Sequence, residues 1–353
     1  MSENTVFKIG SRVIDVDKPV MVIAEIGVNH DGSPGRALDL VHHAHKAGAD
    51  AVKLQLFRAA TLMHASAGFA LYQQPRATAA SAAAMLQKYE LSDDDIQRIV
   101  EAIRNKGMTP LATPFSPADV EMIEKLDLPA IKIASPDLVN RPLIERAALS
   151  SRPLIISTGA ATMDEVASTA QWLRTLHAKF ALLHCVSSYP TSAGDANLCW
   201  IQELHARFEV PVGFSDHTTE LLSGALAVTA GACIVERHIT HDKSAPGPDH
   251  AASASPGEFA RYVQGVRMAQ LLRGQRGKSV LASEKDVRRA SRQSLVAQLD
   301  IPAGEVITRD HLIVQRPGTG VPAAEVTSVV GRRSRRAISA GTLLTWDMIA
   351  DAA

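Results

Sequence analysis

Ionisable and hydroxyl side chains recur in this chain inside short apolar runs, where surface solvation gives little reason for them. Glu25 stands in VMVIAEIG, Lys53 in AVKLQLF, Lys132 in AIKIAS, Ser157 in PLIISTG, and Glu236 with His238 in ACIVERHIT. A charge in such a setting is costly unless something answers it. Lys53 and Lys132, flanked by the hydroxyls of Thr113, Ser135, Ser157 and Ser215, suit a small, multiply charged anion such as a phosphate plus a carboxylate. His217 and His238 end consecutive runs, so both imidazoles can enter one pocket. With oxygen donors nearby and open positions, such a pair suits a catalytic divalent ion, Mn2+ or else Mg2+, Co2+ or Zn2+, acting as a Lewis acid. Two histidines are equally compatible with hydrogen-bonded structural roles. Glu25 is then the natural general base or acceptor for a substrate hydroxyl.

Eight runs of this kind follow one another, beginning at Val20, Ala51, Pro110, Ala130, Pro153, Phe180, Pro211 and Ala232. Between most of them lie helical stretches such as RALDLVHHAHKAGA and TMDEVASTAQWLRTLH, several opened by Ser, Thr or Asp and closed by Gly. Strand and helix alternating eight times predict an α/β fold, the (β/α)8 or TIM barrel, whose active site lies at the C-terminal ends of the strands. The strand ends add Asn29, His30, Gln55, Asp137, Gly159, His184, Ser187 and Tyr189 to the polar set. The long gap between Phe57 and Pro110, with a helix starting near Ser92, is expected to form a loop over that face.

Past about residue 275 the alternation stops. We divide the chain into a barrel at 1–275, a basic linker with a short helical piece at 276–290, and a small β-rich domain at 291–353, in which IPAGEVITRDHL and ISAGTLLTWDMI read as two copies of one element. The 353 residues carry 37 Lys plus Arg against 37 Asp plus Glu, so no global field draws the protein to nucleic acid or an anionic membrane. The basic RRSRR stretch is read as a solvated face. Three scattered cysteines exclude a disulfide framework, and no apolar run reaches the ~18 residues of a membrane span. These features predict a cytoplasmic globular protein.

The strings AEIGVNHDGS, AVKLQLF, TPFSPADVE, IKIASPDL, ISTGAATMDEV, LHCVSSYPT, GFSDHT and ERHITHDKSAPGPDHAAS together resemble the sialic acid (N-acetylneuraminate) synthase family, in order and spacing, from residue 15 to about 270. The tail resembles that family's antifreeze-like (SAF) domain. The resemblance implies condensation of phosphoenolpyruvate with N-acetylmannosamine, or a closely related N-acetylated sugar, and water to give a nonulosonic acid and phosphate. It implies that Lys53, Thr113, Lys132, Ser135, Ser157 and Ser215 hold phosphoenolpyruvate, with Lys132 also in a catalytic role. Gln55, Tyr189 and Asp249 would meet the sugar, as would Glu25. His217 and His238 would bind the metal, with Mn2+ the expected ion, and Glu25 or Asp137 would position water at C2. Arg316, in QRPGTG, would reach from one subunit into its partner's barrel, making a domain-swapped homodimer.

One departure stands out. After the strand-four Ser the family commonly has Gly-Glu, whereas this chain has Pro136-Asp137, a carboxylate one methylene shorter on a stiffer backbone. His250 and the SSYPTS loop are further candidates for tuning acceptor choice. Within the family the alternatives are the 6-phosphate of N-acetylmannosamine and the 2,4-diacetamido trideoxy sugars leading to legionaminic and pseudaminic acids. Outside it stand a related carboligase or Schiff-base aldolase, and a carbohydrate-binding protein on an inactive barrel.

Overall fold

The computed structural model describes residues 6–64, 66–68, 81–275 and 277–351. Two compact units divide the chain, Met1–Gln275 and Arg276–Ala353. Eight parallel strands close a barrel in the first, each beside its sequence neighbour and the last beside the first. They are β1 (Met21–Glu25), β2 (Ala51–Leu56), β3 (Thr109–Pro114), β4 (Ile131–Ile133), β5 (Leu154–Ser157), β6 (Phe180–Cys185), β7 (Val212–Asp216) and β8 (Ile234–His238). All eight expected strands form, although AIKIAS supplies only β4 before the chain turns into a 3-10 helix at Ser135–Asp137.

Outside the strands run α1 (Pro34–Lys46), α2 (Asp93–Asn105), α3 (Pro117–Lys125), α4 (Arg141–Leu149), α5 (Met163–Thr175), α6 (Trp200–Phe208), α7 (Ser223–Thr229) and α8 (Pro256–Arg273). Their start signals work as the sequence suggests: Ser33, Ser92 and Ser116 each accept a first-turn backbone N–H, and Thr162 and Ser255 form reciprocal caps with Glu165 and Glu258. The expected loop after Phe57 falls partly on residues 65 and 69–80, outside the described residues.

What positions the site is the two-residue period of the strands acting on a closed barrel. Met21, Ile23, Ala51, Leu111, Ala130, Ile155, Ala181, Leu183 and Ile234 form an apolar interior layer, closed from the N-terminal end by Phe7, Ile9 and Ile14. Two residues further along each strand the inward positions become Glu25, Lys53, Thr113, Lys132, Ser157, Cys185 and Glu236, all buried. The intervening residues, such as Val22, Ala24, Val52, Leu54, Leu182 and Val235, pack outward against the helices. At the N-terminal end Asp50 takes Arg12 at 2.8 Å and Arg267 at 2.6 Å, fastening α8 under β1 and β2.

In the second unit a short helix, α9 (Lys285–Ser291), begins in the segment expected as a linker and ends one residue beyond it. It leads to β9 (Ser294–Ala297), antiparallel to β10 (Leu312–Gln315). The sequence repeat is structural: Gly304 and Gly341 take matching φ values of 81° and 83° in their turns, and Thr308 and Thr345 each precede a 3-10 turn, Arg309–His311 and Trp346–Met348. Leu295, Ile301, Ile307, Val321, Ile338, Leu344 and Ile349 form a separate small core. Among the described residues, no helix in either unit is long and apolar enough to cross a membrane.

The barrel interior leaves no room at Gly213, where an added Cβ would stand 2.4 Å from the Ile234 carbonyl oxygen and 2.5 Å from Leu183 Cδ2. Gly213→Ala should therefore lower the unfolding free energy by at least about 1–3 kcal/mol in urea denaturation. A variant as stable as the parent would contradict this interior packing.

Candidate active site

At the C-terminal mouth of the barrel the inward charges answer one another. Lys53 Nζ lies 2.7 Å from Glu25 Oε2 and 3.4 Å from Glu236 Oε1, and donates to Thr113 Oγ1 at 3.0 Å. Register makes this possible, since Glu25 is level with Lys53 on one side and with His238 on the other. Gln55 donates to Glu25 Oε1 at 3.4 Å, and Ser215 to Glu236 Oε1 at 3.1 Å. Lys132 donates to Ser157 Oγ at 2.6 Å and to the Ile133 carbonyl at 2.9 Å. Beside it Ser135 Oγ accepts the Gly159 N–H at 3.0 Å. A side chain at Gly159 would collide with Ser187 Oγ at 2.3 Å, so the backbone itself lines this side.

Burial and mutual charge split the titrations. Burial pushes Glu25 up to about 7, against the pull of Lys53 and with repulsion from Glu236 adding to the rise. Glu236 is equally buried, but Lys132 and Lys53 outweigh desolvation and hold it at about 2. Burial brings Lys132 down to about 8, while for Lys53 the two carboxylates overcome burial and raise it. One carboxyl thus stays ionised while the other titrates near neutrality, the division of labour that acid–base chemistry requires.

The imidazoles of His217 and His238 face each other with ring centroids 5.5 Å apart, and the Tyr189 ring lies 4.1 Å from that of His217. His217 donates from Nδ1 to the Val186 carbonyl at 2.9 Å, which orients the ring. Burial and the neighbouring cations hold His238 well below its ordinary range, and its Nδ1 has no hydrogen-bond partner among the described residues. Asp249 Oδ2 lies 3.7 Å from that nitrogen, and burial raises its carboxyl to about 6. Against burial, Cys185 and the Val186 carbonyl raise His217 to about 9, so a neutral buried imidazole, a second ring oriented by a backbone carbonyl and a nearby carboxylate fit a divalent cation chemically once His217 gives up its proton. Among the described residues no three His, Cys, Asp or Glu are spaced to enclose one, so the remaining positions would fall to substrate or water.

Of the residues singled out in the sequence, Glu25, Lys53, Gln55, Thr113, Lys132, Ser135, Ser157, Tyr189, Ser215, His217, His238 and Asp249 all line this mouth or its rim. Asp137 is half-buried on the 3-10 turn, its carboxyl raised by burial, and its hydrogen bond runs to Asn140 at 2.8 Å. Arg316 is exposed at the end of β10 in the second unit. His250 has both ring nitrogens engaged, with Thr240 at 2.7 Å and Asp31 at 3.0 Å. The sequence shows Glu236 at a strand end without a role, yet it is the second carboxylate on Lys53, at 3.4 Å, and the field of Lys132 also acts on it. Its position two residues before His238, on the same face of the strand, was the available signal, and the register then sets it level with Ser215. Cys185, 3.7 Å from His217 Nδ1, also went unassigned.

Residues 40–278 match the NeuB family and residues 292–350 the SAF domain. Over 334 residues, 93% of this chain and 94% of the relative, the sequence is 38% identical to N,N'-diacetyllegionaminic acid synthase of Legionella pneumophila. It is 32% identical to human N-acetylneuraminate-9-phosphate synthase, covering 91% and 90% of the two chains. The crystal structure of N-acetylneuraminic acid synthetase from Leptospira borgpetersenii in complex with citrate superposes with a TM-score of 0.73 at 31% identity, covering 80% of this chain and 95% of that one.

Because Glu25 is raised from 4.5 to about 7, the folded state holds its proton where the unfolded chain releases it. Stability contributed by that proton is complete below the lower value and is lost as pH rises through the upper one. Relative to Glu25→Gln, the wild type should lose at most about 3 kcal/mol between about pH 4.5 and 7, read from urea denaturation across that window. A constant difference would mean that Glu25 is ionised throughout.

Proposed function

The chain belongs to the NeuB family, and from that membership we propose that it condenses phosphoenolpyruvate with an N-acetylated mannosamine-type sugar and water, giving a nonulosonic acid and phosphate. The observation that carries this reading is the buried mouth in which Lys53 and Lys132, hydroxyl groups and a carboxyl titrating near 7 converge. Such a cluster can hold a phosphate and a carboxylate while moving a proton beside them. Lys53, Thr113, Lys132, Ser135, Ser157 and Ser215 hold phosphoenolpyruvate. Gln55, Tyr189 and Asp249 receive the sugar.

C3 of phosphoenolpyruvate forms the new bond to the aldehyde carbon of the open-chain sugar, and the aldehyde oxygen becomes a hydroxyl. Water adds at C2, and inorganic phosphate departs with its bridging oxygen as the C–O bond breaks. Lys132 stabilises the departing phosphate, and Glu25, near its half-titration point at neutral pH, takes or gives the proton at its carboxyl oxygen. His217 and His238 are the residues that would hold Mn2+, with Mg2+ or Co2+ as substitutes. When bound, such an ion supplies Lewis-acid polarisation of the aldehyde. Asp137, turned toward Asn140, has the weaker geometric claim to the water.

N-acetylmannosamine is the first acceptor in this reading. A 2,4-diacetamido trideoxy sugar is the second, favoured by the 38% identity to an enzyme named for legionaminic acid. Incubation of metal-stripped protein with phosphoenolpyruvate, Mn2+ and each sugar in turn, followed by phosphate release and product mass, decides between them. Turnover with no N-acetylated sugar would contradict the proposal. The three cysteines, all unpaired, suit a reducing compartment such as the cytoplasm.

We also assign the acceptor's N-acyl end to Arg316 of a second copy, so that a homodimer shares each site. Arg316→Ala and Lys132→Met proteins, each inactive alone, should then recover about a quarter of wild-type activity on co-refolding, because about half of the dimers are mixed and each mixed dimer carries one intact site of its two. Failure to complement would place Arg316 in its own subunit's site or outside the reaction.

A further inference from the structure

The last residues of β7 and β8 are paired on both faces of the barrel wall. In register, Ser215 is level with Glu236 and Asp216 with Arg237. The first pair points inward and is hydrogen-bonded at 3.1 Å. The second points outward: Arg237 Nη1 meets Asp216 Oδ2 at 3.0 Å, both side chains being almost wholly buried. The residues that follow Asp216 and Arg237 are His217 and His238.

Arg237 does more than close a rung. Its Nη1 also donates to the Glu220 carbonyl at 2.7 Å, and its Nη2 to the Thr218 carbonyl at 2.9 Å. Asp216 Oδ1 accepts the Thr218 N–H at 2.9 Å, and Ser223, opening α7, donates to Asp216 Oδ2. The loop leaving His217 is thus wrapped around one guanidinium. The Tyr262 ring of α8 lies 4.7 Å from that guanidinium, in the space left by Gly224, where a Cβ would sit 2.3 Å from Tyr262 Cζ. Only a planar fork with several donors can satisfy carbonyls and a carboxylate in one plane, so lysine is not an equivalent. A buried ion pair is weak evidence for a stabilising role, since apolar replacements of similar volume are often no worse. A role in fixing register at these two strand ends accounts for it better.

We propose that Arg237 and Asp216 are positioning residues which, from outside the barrel wall, set the separation and orientation of the His217 and His238 rings. The consequence for ion binding rests on the metal reading above, whereas the consequence for ring geometry does not. The test compares wild type with Asp216→Asn and Arg237→Met, and uses Asp50→Asn, which loosens the Arg12–Asp50–Arg267 cluster at the opposite end, as the control for general destabilisation.

Two readouts are taken on full-length protein: ring-nitrogen spectra of metal-free 15N-histidine-labelled protein, assigned with His217→Gln and His238→Gln, and the Kd for Mn2+ from the free-ion paramagnetic resonance signal. Asp216→Asn should shift both ring signals and weaken Mn2+ binding by about tenfold or more, the size of effect expected when the support that orients a metal ligand is lost. Asp50→Asn should lower the melting temperature and change neither readout. The near-isosteric Asp216→Asn keeps the test open if Arg237→Met does not fold. Unchanged ring signals in Asp216→Asn, or equal changes in Asp50→Asn, would overturn the proposal. Shifted rings in a protein whose wild type binds no Mn2+ would support positioning and remove the metal.

Discussion

Two lysines and two glutamates share the dry interior of a parallel barrel, and neither pair is tolerable without the other. Moving a single ion from water into such surroundings costs several kcal/mol even after relaxation. The ion pairs of Lys53 with Glu25 at 2.7 Å and Glu236 at 3.4 Å offset that cost before any ligand arrives. Lys132 has hydroxyl and carbonyl oxygens as its direct partners and titrates lower, near 8. The mouth is therefore built to exchange internal pairing for an incoming anion. Glu25 would then be free to carry the proton that the exchange displaces.

Everything beneath the cluster serves its placement. The apolar layer of Met21, Ile23, Ala51, Leu111, Ile155 and Ile234 excludes water from the barrel floor. Because side chains alternate in and out, the next inward residue on each strand emerges at a common height above that floor. The same alternation puts Asp216 and Arg237 outside while Ser215, Glu236 and the two histidines face inward. A slip of one residue in β2, for instance, would turn Val52 or Leu54 to the mouth and send Lys53 into the helix layer.

This alternation explains what could be read from the sequence. Eight buried runs, their caps and the polar strand ends were legible because parallel-barrel strands need apolar residues on both faces, so a Lys or Glu within a run stands out. The repeat in the C-terminal unit was legible for a related reason, since both copies carry the Gly that their turns require at φ near 80°. Pairing between charges was less visible. Glu236 looks like one more strand-end polar group until the register sets it beside Ser215 and within reach of Lys53. Asp137 shows the converse: the family resemblance implied a possible water-positioning carboxylate, and the 3-10 turn at Ser135–Asp137 sets it where it accepts from Asn140. Local backbone geometry decides its direction, and a motif match carries no record of that.

The central claim is that the charge-balanced cluster is the seat of the phosphorylated substrate and that Glu25 takes up a proton when it arrives. Calorimetric titration of phosphoenolpyruvate into the protein near neutral pH, in buffers of different ionisation enthalpy, counts that proton directly. The account predicts net uptake in the wild type beyond that seen with Glu25→Gln, because a new anion beside a carboxyl titrating at about 7 raises it further. Equal proton counts in the two proteins, with binding intact, would contradict it.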